Sequence, residues 1–565
     1  MKKHMFIVSF LISALLLCQT AMAAKWVMKK GTQGGADEAQ SPTSNKALGI
    51  SYYKKGMLED AVEELIIASE RARGDAELHH YLGKAYYELD KLQDAIPEFL
   101  AAISLYSPDR VEEKAEAYSD LGLTYKYLKL FSESFSAYKE SLALNPLKVD
   151  TNYYLGVLSY EKGRLNESAT FLEKAVSLDS KDADAHFMLG VVYFKKNLPE
   201  NAEREFKQVI NLKKDDAEAH NFLGMLYYGR GDFENSVAEH QLAVQHNKNY
   251  AEAFNNLGIA YYAKGDLKDA ADALKKAVTL SPNFVEAYYN LGMVYSEGDK
   301  FQDAVFSLQQ ALKINPKMAE AYFALGEVYA ENDRETEALS YYRWAISFKP
   351  DYADAYYNCG ELYAVRGERE QSIEAWKKTI ELNPQKADAY YNLGVAYFNQ
   401  GNESKAISCW NKAVKINPDD YGALTGLADI YYSKGLLDKA IQTWERTTEL
   451  YPDRADIFYK LGNTYAKKNM YLSAVACWEK ATKINPAYVD AYYNLAVVYQ
   501  GIGKVDDAIN ALKKALDIDA DDANIHKSLG FLYQKKGMHI EAESEFAIHR
   551  KLKSLQMRIN THRHE

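Results

Sequence analysis

The sequence predicts an all-α protein built from tandem helix pairs. Three observations carry that expectation. One pattern returns every 34 residues along nearly the whole chain of 565; the apolar spacing inside each copy is helical; and 12 prolines and 31 glycines are too few for long loops. Hydrophobic residues at 47% and charged residues at 26% exclude a largely disordered chain.

The N-terminus precedes the array. Met1-Lys2-Lys3-His4, the apolar run Met5 to Leu17 and Ala21-Met22-Ala23 form the three-part layout of a secretory signal over residues 1–23. Cleavage after Ala23 is expected, leaving a polar linker over 24–41 and no integral membrane span. Cys18 is a rival lipid anchor, disfavoured by Leu17 where a small residue is wanted, and retention of the run as an uncleaved anchor stays open. All three fates export the protein, to the periplasm or cell envelope of a bacterium.

The array follows. In Ala251-Glu252-Ala253-Phe254-Asn255-Asn256-Leu257-Gly258-Ile259-Ala260-Tyr261 the eighth residue is small, and it recurs as Gly292 and Gly326 in steps of 34. The series runs from Gly49 and Gly83, through Gly122, to Gly530; only the step from 83 to 122 is longer, by five residues placed near 109–114. Fifteen repeats therefore fill 42–556, and 557–565 is a tail.

Each copy contains two helices. Leu257, Gly258 and Tyr261 recur at i, i+1 and i+4; Ala270, Leu274 and Ala277 recur at i, i+4 and i+7, with Gly265-Asp266 as the turn between them. Proline closes the second helix at position 32, as at Pro146, Pro282, Pro316, Pro350, Pro384, Pro418, Pro452 and Pro486. Ser180, Lys214 and Lys248 replace it after repeats 4 to 6. Pro97 falls inside a second helix, where a kink is expected, and Gly422, Gly426 and Ala428 are expected to soften repeat 12.

The pattern large-x-x-Leu-Gly-x-x-Tyr, then Ala-x-x-x-large, Ala and Pro resembles the tetratricopeptide repeat (TPR) family. That resemblance implies an α-α superhelix, a right-handed α-solenoid whose concave groove is lined by positions 2, 5, 6, 9, 12 and 13 of the first helix. It also implies a scaffold that binds proteins or extended peptides. A single pair cannot bury its apolar face alone, so neighbours supply the stability, and a small position 8 lets paired helices approach.

Tyrosine dominates the aromatics, 45 against 21 phenylalanines and 6 tryptophans. Fourteen fall at position 11, part of the packing signature. Carried onto the groove positions, the resemblance selects a Tyr/Asn lining: Asn256, Tyr289, Asn290, Tyr357, Asn358, Tyr391, Asn392, Tyr459, Tyr493 and Asn494. Asparagine both donates to and accepts from a peptide backbone, and tyrosine offers rigid area with a polar tip. The lining resembles, in part, the asparagine ladder of O-GlcNAc transferases. The position-5 lysine of the chaperone-tail clamp is replaced by aromatics, which disfavours that ligand.

Position 2 is acidic in twelve of fifteen repeats. The helix dipole suffices to explain these acids, and a negative groove would favour basic segments. The net charge of −11 and the lack of a basic stripe argue against nucleic acid. Trp376, Trp410, Trp444 and Trp478 share position 24 and read as core. Cys359, Cys409 and Cys477 have no metal or disulfide spacing, and His186 and His220 read as packing residues. No cofactor, metal or catalytic residue is expected. The function expected is an assembly scaffold of the envelope with its ligand in the groove; the alternative is a polysaccharide-handling accessory whose tyrosines stack on sugars.

Overall fold

The computed structural model describes residues 42–562. The N-terminal signal, Cys18 and the 24–41 linker lie outside them. The described residues form thirty helices and no strand, paired into fifteen repeats, so the all-α helix-pair array is borne out. They divide into two compact units, one ending at Pro282 (repeats 1–7) and one beginning at Asn283 (repeats 8–15). Within each unit every second helix packs on its own partner and on the first helix of the following repeat.

One close approach sets the spacing inside a pair. Position 8 of the first helix meets position 24 of the second, sixteen residues on. A Cβ on Gly83 would lie 2.8 Å from the Phe99 ring, one on Gly292 2.6 Å from Leu308 Cγ, and one on Gly360 2.5 Å from Trp376 Nε1. The position-24 tryptophans are core as expected, Trp444 only 1% exposed. Even His240 serves there as an apolar filler. It is fully buried against Gly224, and burial pushes its imidazole down to about 3 and keeps it neutral.

The turn between paired helices is equally uniform. All fifteen repeats place a left-handed residue at position 15. Nine are glycine, and the others include Asp90 and Asn197, which tolerate positive φ, and Lys129 at φ 61°, which pays a steric cost. Asp and Asn at this position explain why several repeats lack a visible Gly turn in the sequence.

Four irregularities seen in the sequence have their place in the structure. The five extra residues of repeat 3 extend its first helix, Val111–Tyr127, to 17 residues where its neighbours have 13. The helix Leu92–Leu105 runs unbroken through Pro97. The glycines of repeat 12 make room for neighbouring rings: a Cβ on Gly422 would strike the Tyr391 ring at 2.5 Å and one on Gly426 the Trp410 ring at 2.7 Å. The final helix, His539–His562, runs past residue 556 into the expected tail.

Position-11 tyrosines do more than pack. The hydroxyls of Tyr193, Tyr465 and Tyr499 donate to Glu173 (2.7 Å), Glu445 (2.5 Å) and Glu479 (2.6 Å), each twenty residues back on the second helix of the preceding repeat. The ring fills the junction and the hydroxyl ties it, which phenylalanine could not do. No helix among the described residues is long and apolar enough to cross a membrane.

Gly292→Leu is expected to lower stability by about 1–3 kcal/mol through overpacking against Leu308 within repeat 8. Gly229→Ala, at a helical site with nothing within 4 Å, should cost nothing. Urea unfolding of the two variants checks the pair.

Candidate peptide-binding groove

Unit 2 carries nine of the ten predicted groove residues; Asn256 belongs to unit 1 and is buried there. In unit 2 the positions 5 and 6 of neighbouring first helices meet. Asn392 Nδ2 donates to Tyr357 Oη (3.2 Å), thirty-five residues back. Three repeats further along, Asn494 Nδ2 reaches Tyr459 Oη (3.5 Å) in the same register and donates to Asn463 Oδ1 (3.0 Å). In unit 1, Asn256 Nδ2 donates to Asn221 Oδ1 (3.0 Å) in the same register. The asparagine ladder is therefore a structural tie between repeats as well as a surface.

The remaining residues are held too. Asn358 bonds the Tyr342 hydroxyl of the preceding repeat. Tyr289 is buried at 8% exposure, and Asn290 beside it is half-buried. Tyr391 is half-buried over Gly422, and its carbonyl accepts from Trp410 Nε1 (3.1 Å). Tyr459 packs on Tyr488 with ring centroids 4.9 Å apart, and Tyr493 packs against the core of repeats 13–15.

The electrostatic feature of this surface was not among the sequence-predicted residues. Glu327, at position 9 of the helix Ala319–Glu331, is half-buried, with Glu331 one turn on and Asp354 on the next first helix. Burial pushes its carboxyl up to about 7, and Glu331 and Asp354 push the same way. Glu331 is raised as well, chiefly by burial. Asp354 is answered by Lys386 Nζ (3.0 Å), whereas Glu361 takes only the Tyr357 hydroxyl (2.8 Å). Acids at positions 9 and 13 in one repeat, followed by one at position 2 in the next, were the legible signal.

Many position-2 acids, read from sequence as helix-dipole partners, also carry ion pairs: Glu77 with Lys46 (2.9 Å), Asp184 with Lys213 (2.6 Å) and Glu320 with Lys349 (3.1 Å). In unit 1, His80, Glu116 and Asp120 come together from two repeats, with His80 Nε2 2.9 Å from Asp120. Lys84 Nζ bonds Glu116 and lies 3.5 Å from Asp120, so an ammonium already balances that charge. Burial raises the thiol of Cys359 to about 12 and those of Cys409 and Cys477 to about 11, which favours the protonated form.

Stacked helix pairs bearing a polar-aromatic strip define a repeat scaffold for protein interaction. The chain belongs to the tetratricopeptide repeat family: family profiles described as tetratricopeptide repeat or TPR repeat match, among others, residues 46–110, 115–146, 183–216, 285–318, 319–352, 387–420 and 428–469. No curated protein matches it by sequence. Similar solved structures include the crystal structure of MamA (34% identity over 29% of this chain and 95% of that one, TM-score 0.27). Others are YrrB, described as a TPR protein with an unusual peptide-binding site (29% identity, 33% and 95%, TM-score 0.28), and pilF of Pseudomonas aeruginosa (20%, 38% and 96%, TM-score 0.34).

Asn392→Ala and Asn494→Ala should each lower the stability of the array by about 0.5–1.5 kcal/mol, the net worth of the lost tie. Unchanged unfolding midpoints in both would mean the ladder amides serve only a ligand.

Proposed function

We propose that this protein is a scaffold that holds extended, basic segments of partner proteins against the Tyr/Asn strip of unit 2, and that it assembles complexes in a bacterial cell envelope. The export signal read in residues 1–23 supports the location. The observation that carries the ligand class is Glu327. A half-buried carboxylate with acidic neighbours and no ion-pair partner among the described residues is costly when ionised, and a lysine or arginine side chain lying across the neighbouring tyrosines would relieve it.

The pH dependence follows with its sign. Because the carboxyl is raised from 4.5 to about 7, Glu327 costs the free protein stability progressively as pH rises between those two values, and the cost is complete above about 7. A bound cation offsets that cost, so basic peptides should bind more tightly at pH 8 than at pH 5.5, with release of a proton.

Fluorescence anisotropy of residues 24–565 with a Lys/Arg-containing extended peptide and its Asp/Glu counterpart tests this. The basic peptide should bind, more weakly in high salt, and Glu327→Gln should weaken it roughly tenfold and flatten the pH response. Equal binding of the acidic peptide overturns the ligand class. Affinity capture from envelope extract with a Tyr289, Asn290, Tyr391, Asn392→Ala variant tests the strip: identical partners for the variant and the parent would remove the function from these residues.

One observation favours the polysaccharide reading. Tyr322, Trp344 and Phe348 lie near-parallel, with centroids 5.3–6.2 Å apart, and Trp344 is 55% exposed. Glycan-array binding abolished by Trp344→Ala would support it, and capture of proteins alone would exclude it.

A further inference from the structure

Eight repeats follow a unit that closes on proline at position 32, and none of the eight has histidine at position 4 or glutamate at position 23. Four repeats have both: His79 with Glu98, His186 with Glu205, His220 with Glu239, and His526 with Glu545. In all four the preceding unit lacks the proline, with Arg73, Ser180, Lys214 or Ala520 in its place. The junctions into repeats 3 and 7 carry neither device.

The structure shows why these residues travel together. Each histidine ring bridges two elements. Nδ1 bonds the glutamate on the second helix of its own repeat, at 2.5 Å (Glu98), 2.7 Å (Glu205), 2.7 Å (Glu239) and 2.5 Å (Glu545). Nε2 donates to the backbone carbonyl of the very residue that stands where proline is missing: Arg73 (3.2 Å), Ser180 (3.3 Å), Lys214 (3.3 Å) and Ala520 (2.9 Å). The same four first helices start on an aspartate cap, Asp75, Asp182, Asp216 or Asp522, whose side chain accepts from a helix N–H.

A carbonyl only accepts, so Nε2 carries a hydrogen; an ionised carboxylate only accepts, so Nδ1 carries one too. A ring that makes both bonds at once to an ionised carboxylate and a carbonyl is an imidazolium. Proline fixes a junction covalently through its locked φ; here a cation fixes it through two hydrogen bonds. We infer that histidine bridges stand in for the missing prolines at these four junctions, and that the rings of His79 and His220 make theirs pH-sensitive hinges of the array. Once neutral, a ring must release either the loop carbonyl or the glutamate.

Acidic groups face each ring. His79 faces Glu98 and Asp75; His220 faces Glu239 and Asp216 and stacks on His246 at 5.5 Å. The Glu205 that faces His186 also binds Arg204 (3.0 Å), with Asp182 at the cap; His526 meets Glu545 and the Asp522 cap. His79 is raised above the ordinary histidine value by the Glu98 bond, against burial. For His220, burial lowers the value, but the bonds to Glu239 and the Lys214 carbonyl outweigh it. A raised folded value means the pin is fully present below the ordinary histidine pKa of about 6.5 and is lost as pH rises through the folded value.

Hydrogen exchange by mass spectrometry on the full chain, corrected for intrinsic rates, tests the hinge. Between pH 5.5 and pH 9, protection around residues 213–216 should fall roughly fivefold more than around the proline junction at 349–352, the loss of about one hydrogen bond. His220→Gln should be poorly protected at both pH values, and His220→Gln with Lys214→Pro should be protected at both. A parallel response of the two loops in the parent chain, or a pH response that survives His220→Gln, overturns the inference.

Discussion

The contact between position 8 and position 24 is the constraint on which the rest of the structure depends. With no Cβ at Gly292 or Gly394, the second helix can bring Leu308 or Trp410 directly onto the backbone of the first. That approach fixes the separation within a pair, and hence where position 11 meets the preceding repeat and where positions 5 and 6 of neighbouring first helices fall. The size at position 24 varies from Leu274 to Trp444 while position 8 stays small. Volume is therefore adjusted on one side of the contact only, and the backbone geometry can repeat without drifting.

Polar groups then lock the register that packing leaves loose. Tyrosine hydroxyls tie position 11 to a glutamate twenty residues back, asparagines tie first helices thirty-five residues apart, and the loop carbonyls at four junctions are taken by histidine. Each tie is worth little alone, but repetition in a quasi-linear array makes each junction's strength local. The carboxylate of Glu327 departs from this economy, since no such partner answers it among the described residues, and that makes it the informative group on the second unit's surface.

Most of the fold was legible because it is periodic: the small residue, the Leu and Tyr around it and the closing prolines gave repeat boundaries that helices such as Val285–Glu297 and Phe301–Ile314 reproduce. What was not legible depended on distance. The histidine bridges at His79 and His526 depend on glutamates nineteen residues away, and the surroundings of Glu327 include Asp354 of the next repeat. Gly422 and Gly426 looked like defects because the rings that need their space, Tyr391 and Trp410, belong to the preceding repeat. The Tyr/Asn strip was found by position, but its internal pairing required coordinates.

The most direct measurement of the central contact is a double-mutant cycle between Gly292→Leu and Leu308→Ala, read by equilibrium unfolding. If the pair sets the helix separation, shrinking position 24 should make room for the enlarged position 8. The double variant should then be more stable than the sum of the single effects by about 1–3 kcal/mol. Strictly additive losses would contradict the account, because they would mean that the two positions do not share one space.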